Sequence, residues 1–449
     1  MPSNSLAAWW AWALPSAGKE AMFWLVAIYL LKYSSDVLGV GPAVVGGIFA
    51  LGRLWDAVSD PLVGFWSDRT RSRFGRRRPF MLAAALPLAL GFYGVWNPPA
   101  ALSGIWLIGW LGVALWVMYT AATLLAVPHA SLGAELSEDH HTRTRIFGVR
   151  ALCEFGGILG AIAGLAALEN AVVPRDTAHH VALALGGFTL LATLVCVLRV
   201  SEPPEHSGRG GMLPLRAFGD VWRNEHARVL LAAFFLTDFA LSALATLVPY
   251  ISGQMTGGEG RSGLLMLAFI GPAVLAVPFW GWLSRRIGKR ESWCLALVAL
   301  SVSFGCFAML DGRVGPAAFV VVLIVGVSQG ATRMLPHSIK ADIIDVDELR
   351  TGERKEGAYF AAWNLVQKLA GAAAIFCMGF VIELAGFREG VNADNAWKLM
   401  LVAAAFPAVL TGLAAFLVSR LRLDERAHAQ VQSELRGEPP RIALREVEA

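Results

Sequence analysis

Charge is what this chain has least of. Its 449 residues are 56% hydrophobic and only 16% Asp, Glu, Lys or Arg, where soluble domains carry about 25%. The shortage is concentrated. Residues 79–134 hold none of the four, a run of 56 divided by Asn97-Pro98-Pro99, and residues 292–310, 314–332 and 399–419 are uncharged for 19, 19 and 21 residues. A buried soluble helix rarely stays apolar on every face for that length, whereas a membrane-crossing helix needs about 20 such residues. Soluble globular domains are therefore excluded. Cysteine is sparse as well: the five, Cys153, Cys196, Cys294, Cys306 and Cys377, all fall in apolar stretches without metal-ligand spacing, so neither a disulfide framework nor a zinc site is expected. No G-x-x-x-x-G-K-[ST] loop occurs, so nothing in the sequence supports ATP as an energy source. The start lacks a basic n-region and a small-residue cleavage site, so the first apolar span is expected to stay in place.

What is present is a set of twelve apolar spans, at about 14–38, 41–65, 80–97, 102–130, 148–168, 180–200, 229–251, 263–284, 292–311, 315–337, 357–386 and 397–420. The expected fold class is all-α, a polytopic membrane protein. Lys and Arg crowd alternate connections: Arg69, Arg71, Arg73, Arg76, Arg77 and Arg78 after the second span, and Arg285, Arg286, Lys289 and Arg290 after the eighth. The positive-inside rule then places both termini in the cytoplasm. This asymmetry explains the net charge of +4 without a nucleic-acid partner, the basic clusters serving as topology anchors and lipid contacts. Tryptophans such as Trp9, Trp10, Trp96 and Trp106 sit near span ends as an interfacial belt.

An internal repeat divides the chain. Gly64-Phe-Trp-Ser-Asp68-Arg69 followed by an Arg-rich turn returns as Gly281-Trp-Leu-Ser-Arg285-Arg286, 217 residues later (281 − 64). Two six-helix bundles, 1–200 and 229–420, are expected, with a polar linker at 201–228 and a charged cytoplasmic tail at 421–449. Such duplications build carriers that rock one half against the other around a midplane site.

The most informative charges are the misplaced ones. Asp56 and Asp60 lie one turn apart, on one face of the second span, and a carboxylate in hydrocarbon costs about 2.5–3.5 kcal/mol on insertion scales. Two readings are open: a structural pairing with Arg53, or a site for a small transported cation, Na⁺ or H⁺. Hard cations take oxygen ligands, and Asp56, Ser59 and Asp60 supply them within one turn, ahead of Pro61.

The repeat and span count resemble the major facilitator superfamily. Three segments narrow the resemblance to the glycoside–pentoside–hexuronide cation symporters, the melibiose permease-like carriers: Arg53-Leu-Trp-Asp56-Ala-Val-Ser-Asp60-Pro61; Ala341-Asp342-Ile-Ile-Asp345 with Gly352-Glu-Arg354-Lys-Glu356-Gly357; and Asn364-Leu-Val-Gln367-Lys368-Leu-Ala-Gly371. Lysophospholipid carriers share these motifs. The resemblance implies cation-coupled symport of a sugar, glycoside or uronide by a monomer in a bacterial inner membrane. It adds Thr123 as a further oxygen donor and Lys368 as the coupling residue near both aspartates. Glu20 and Arg150 match the family's sugar-contacting positions. Arg150 with Glu154 at i+4 follows the lysolipid-carrier pattern instead. Two departures matter: Ala122 and Ala126 replace a Tyr and an Asp that bracket the sugar, and Arg333 replaces an aromatic wall. The cavity has thereby lost one carboxylate and gained one guanidinium, which suits an anionic cargo such as a uronide, sugar acid or lysophospholipid. Asp238 either partners Arg333 or meets cargo, and Trp363 is placed at the cavity wall. Arg73 and Arg76 facing Asp342 and Asp345 are expected to form a gate at the basic end. No cofactor is expected beyond the coupling ion. An enzyme acting on lipids would need a nucleophile–base pair at membrane depth; the best candidates, His129 and His337 near Ser131 and Ser338, lie at span ends without an oxyanion motif.

Overall fold

A computed structural model describes residues 5–70, 72–136, 140–202, 219, 221–256, 262–308, 316–351, 356–386 and 396–421, with 431 and 434. Most of the expected linker, and all but three residues of the expected tail, lie outside these.

Thirteen helices run through the described residues, with no strands: α1 Leu6–Asp36, α2 Pro42–Arg69, α3 Arg78–Trp96, α4 Gly104–Glu135, α5 His140–Glu169, α6 Pro174–Arg199, α7 Glu225–Thr256, α8 Ser262–Leu275, α9 Val277–Ile287, α10 Lys289–Ala308, α11 Pro316–Thr351, α12 Glu356–Leu384 and α13 Ala396–Ser419. Helices α8 and α9 are one span bent by 44° at Ala276. Pro278 lacks the backbone donor and crowds the preceding turn, and Pro272 repeats the insult inside α8. Ten single helices and this bent pair are long and apolar enough to cross a membrane. Helix α2 has the length, 28 residues, but its charged residues lower its hydropathy. With it the spans number twelve.

Helix ends overrun the apolar runs. Helix α5 begins at His140 and α11 continues to Thr351, because polar residues extend a helix into water as readily as apolar ones extend it in lipid.

The two halves repeat the same packing. In the first, α1 lies against α5 and α6, α4 against α2 and α3, and α3 against α6. In the second, α7 lies against α12 and α13, α11 against α8 and α10, and α10 against α13. Counted as spans, every partner is shifted by six. Between halves, α2 packs on α12, α5 on α8 and α1 on α7.

Close approach depends on small residues, as membrane helices require. A side chain at Gly157 in α5 would overlap the Ala17 carbonyl of α1, while its neighbour Gly156 faces open space. Gly157→Val is expected to destabilise the fold by about 3 kcal/mol or more, at the upper end for overpacking, and Gly156→Val to be silent. Melting of the purified variants side by side checks the contrast.

The halves seal at the end opposite the arginine clusters. Glu383, in the last turn of α12, accepts a hydrogen bond from the Ala43 N–H at the start of α2 (3.2 Å). Glu169, ending α5, accepts from the Ser262 N–H at the start of α8 (3.0 Å) and from the Ser262 hydroxyl. Gly379 lies against the Pro42 carbonyl and Gly46 against that of Ile375. Lys32 of α1 sits 5.3 Å from the Tyr250 ring centre of α7.

Candidate cation and cargo site

Helix α2 delivers its two carboxylates halfway along its length, facing α4 and α12. The Lys368 ammonium of α12 lies 2.8 Å from Asp56 Oδ2 and donates to Asp60 Oδ2 at 2.5 Å. Thr123 Oγ1, from α4, lies 2.6 Å from Asp56 Oδ1 and 3.1 Å from Asp60 Oδ1. Ser59 Oγ is within 3.2 Å of both the Asp56 carbonyl and Thr123 Oγ1. Five residues that the sequence singled out thus form one connected cluster, and its central bond crosses between the halves.

The two carboxylates are not equivalent. The Asp56 side chain is 6% exposed and that of Asp60 30%, so Asp60 meets the cavity first. Arg53 stands further off. Its Nη1 is 3.9 Å from Asp56 Oδ2, and its guanidinium is held among Phe23, Phe49 and Tyr119, with ring centres 5.3, 5.4 and 5.4 Å away. Such cation–π contacts fix a guanidinium without neutralising it. The hard oxygen set of two carboxylates and two hydroxyls suits a small cation. Among the described residues no group of three or more His, Cys, Asp or Glu is placed to hold a metal ion.

The cluster forms one wall of a cavity of about 580 Å³ between the halves, on the arginine-rich side of the seal. Glu20, Arg53, Arg150, Asp238, Arg333 and Lys368 all line it. Their pairings differ. Glu20 is bonded to Lys19 (2.5 Å) and Arg150 to Glu154 (2.7 Å, i,i+4). Arg333 lies 5.7 Å from the Trp24 ring centre. Asp238 and Arg333 share the cavity without an ion pair within 4.0 Å. Of the charged lining, five groups are cationic (Lys19, Arg53, Arg150, Arg333, Lys368) and four anionic (Glu20, Asp56, Asp60, Asp238).

Other expected residues stand elsewhere. Trp363 is not at the cavity surface: it is 1% exposed, packed behind Phe234 and His337 with ring centres at 3.9 and 5.2 Å. It supports the wall because its ring is too large to share the α7–α12 contact with cargo. Glu154 lies behind Arg150. Asp342 is bonded to Lys289 of its own half (2.8 Å). Arg73 is exposed and covers Phe74 at 5.0 Å. The Arg76 N–H donates to Glu202 (2.7 Å), which also accepts from Arg77 and Arg78 (both 2.8 Å) and so caps α3. Asp345 is buried near the basic end of α11.

Sequence reasoning assigned no role in the site to Gln329, Thr332, Asn364 or Gln367, which also line the cavity, and treated His337 only as an enzyme candidate. Helical spacing carried the signal: residues 364, 367, 368 and 371 share one face of α12, and 329, 333 and 337 one face of α11.

Comparison with known proteins fits this geometry. The family model described as MFS/sugar transport protein matches residues 11–425. An uncharacterised symporter of Synechocystis sp. is 25% identical over 92% of this chain and 93% of its own. The sodium-dependent lysophosphatidylcholine symporter 1 of Gallus gallus is 24% identical over 90% of this chain and 84% of its own. The crystal structure of the nucleoside transporter NupG superposes with a TM-score of 0.67 at 12% identity, covering 92% of this chain and all of the other (100%), a likeness of fold alone. Twelve spans in two six-helix bundles, a midplane cavity between them and a family match over almost the whole length lead to one conclusion: the chain belongs to the MFS/sugar transport protein family and is a membrane symporter of the major facilitator type.

Proposed function

We propose that the protein couples Na⁺ or H⁺ entry to uptake of a sugar, glycoside or uronide by alternating access, as a monomer in a bacterial inner membrane with both termini in the cytoplasm. One observation carries this reading: the Lys368 ammonium occupies the place between Asp56 and Asp60 that a cation would need. Cation and ammonium compete for the same carboxylates, so arrival of one releases the other. Because Lys368 belongs to α12 and the aspartates to α2, that exchange breaks a bond between the halves. A membrane potential of 100 mV favours entry of each charge by about 2.3 kcal/mol. The seal at the end away from the arginine clusters then corresponds to a state facing the cytoplasm.

The test is uptake into proteoliposomes. A Na⁺ gradient and a pH gradient are applied separately, against neutral glycosides and glucuronides. Accumulation driven by either gradient is the expected result; uptake equal with and without both would sink the reading.

The second reading, a cation-coupled carrier of a lysophospholipid or other amphipathic anion, is favoured by specific features. The lining has one more cation than anions, Arg150 is paired to Glu154, and an apolar hollow lined by Leu244, Val248 and Phe307 shares Ala245 and Phe269 with the polar cavity. Arg333, the unpaired guanidinium, separates the cargoes. Arg333→Gln is expected to raise the KM for a glucuronide about 30-fold, the loss of one charge-assisted hydrogen bond of about 2 kcal/mol, and to leave a neutral glycoside within threefold. Concentration-dependent uptake of the two cargoes by one preparation checks it.

A further inference from the structure

If a cation displaces Lys368 from Asp56 and Asp60, the ammonium is left at membrane depth without a partner, a condition that destabilises strongly. This question rests on the cation reading above; the answer comes from the fold. Helices α7 and α12 pack together, and two contacts set their register. Phe234 packs tilted against Trp363 with ring centres 3.9 Å apart, and a side chain at Gly371 would lie 3.9 Å from Ser242 Oγ. Both contacts pair residues 129 apart (363 − 234 and 371 − 242). The two helices are therefore parallel in step, and Asp238 stands level with Gln367 and Lys368. Asp238 and Lys368 line the same cavity, and in this state Asp238 has no cation within 4.0 Å. Arg333 and Arg53 line that cavity too.

A shared offset, one residue longer than that between the Gly64 and Gly281 motifs, points the same way. Asp238 stands 218 residues after Glu20, and Lys368 stands 218 residues after Arg150 (238 − 20 and 368 − 150). Each half thus has a carboxylate on its first span and a base on its fifth, and in the first half Glu20 and Arg150 line the same cavity. Lys368 is the member drawn out of its own half, across to α2. Its four-carbon stem is flexible enough to swing back.

We infer that Asp238 is the second counter-ion of Lys368: the ammonium passes from Asp56 and Asp60 to Asp238 when a cation takes the aspartates. The hand-off replaces a bond between the halves by one within the second half. It frees α2 from α12 while leaving no buried charge alone. Asp238 is in this role a positioning residue for the coupling step.

A mutant cycle read by melting of the purified full chain, without added Na⁺, tests this. The variant D56N/D60N stands in for the neutralised site. D238N is expected to shift melting of the otherwise native chain by no more than about 2 °C, and to lower that of D56N/D60N by about 5 °C or more. Lys368→Gln should erase that loss, Arg333→Gln should not, and D238E should restore most of it. An equal shift in both backgrounds, a loss that survives Lys368→Gln, or a loss erased by Arg333→Gln overturns the assignment. Should D56N/D60N fail to fold, the unaltered chain and D238N are melted with and without saturating Na⁺ and at lowered pH: stabilisation of the unaltered chain by either cation with a smaller stabilisation of D238N is the expected result, and equal stabilisation of the two is fatal. In the mutant cycle no Na⁺ is added, so failure there is separate from failure of cation coupling, which shows as gradient-independent uptake by the unaltered chain.

Discussion

Asp60→Asn is expected to reduce gradient-driven uptake at least ~100-fold, equivalent to about 2.7 kcal/mol of lost cation binding, in a protein that still folds. The size follows from position. Asp60 is the carboxylate that meets the cavity, and its two oxygens are divided between Lys368 at 2.5 Å and Thr123 at 3.1 Å. An asparagine keeps the shape but brings no charge to offset dehydration of a cation. The fold survives because Lys368 keeps Asp56 at 2.8 Å, so melting should stay within a few degrees of the parent. Paired uptake and melting measurements decide the matter: uptake that still follows a Na⁺ or pH gradient in this variant would show that the cation binds elsewhere.

Lys368→Gln has the opposite signature. Removing the ammonium leaves two carboxylates one turn apart with only Arg53, 3.9 Å from Asp56, for compensation. Breaking a buried pair by deleting one partner costs about 3–5 kcal/mol. The variant is therefore expected to melt several degrees lower in cation-free buffer. The competitor for the site is also gone, so cation affinity should rise at least ~10-fold, or about 1.4 kcal/mol. Added Na⁺, or lower pH if the proton is the coupling ion, should then stabilise the variant more than the parent, following the logarithm of cation concentration over its dissociation constant. Coupled uptake should be lost, since nothing remains to exchange with the cation. Melting curves across a Na⁺ series and a pH series test both parts; equal responses of variant and parent would show that Lys368 does not compete for the site.

How much of this was legible beforehand depended on whether the signal was local. A membrane penalises charge so heavily that uncharged runs mark spans directly, and the same penalty makes Asp56 and Asp60 conspicuous on α2. Their spacing alone predicts a shared face. Nothing local says that Lys368, some three hundred residues away, closes the cluster; that came through family resemblance. The bend at Ala276 went unread, because a proline in an apolar run is compatible with a straight span as well as a broken one. Trp363 was misplaced for a related reason. An aromatic beside charged motifs can face a cavity or stand behind its wall, and only the packing of Phe234 against it decides. Glu169 and Glu383 passed unnoticed, since a carboxylate at a span boundary looks like any solvated end.

Those two glutamates change how the halves should be regarded. The first turn of a helix leaves backbone donors to be satisfied, and here α2 and α8 each begin on a carboxylate borrowed from the other half. Neither bundle is finished by itself. Parting the halves at that end strips the starting caps from two helices together, at about 1 kcal/mol each by the usual worth of such a cap, until water takes their place. The exchange is reciprocal, so the two sides of the seal have reason to open in unison.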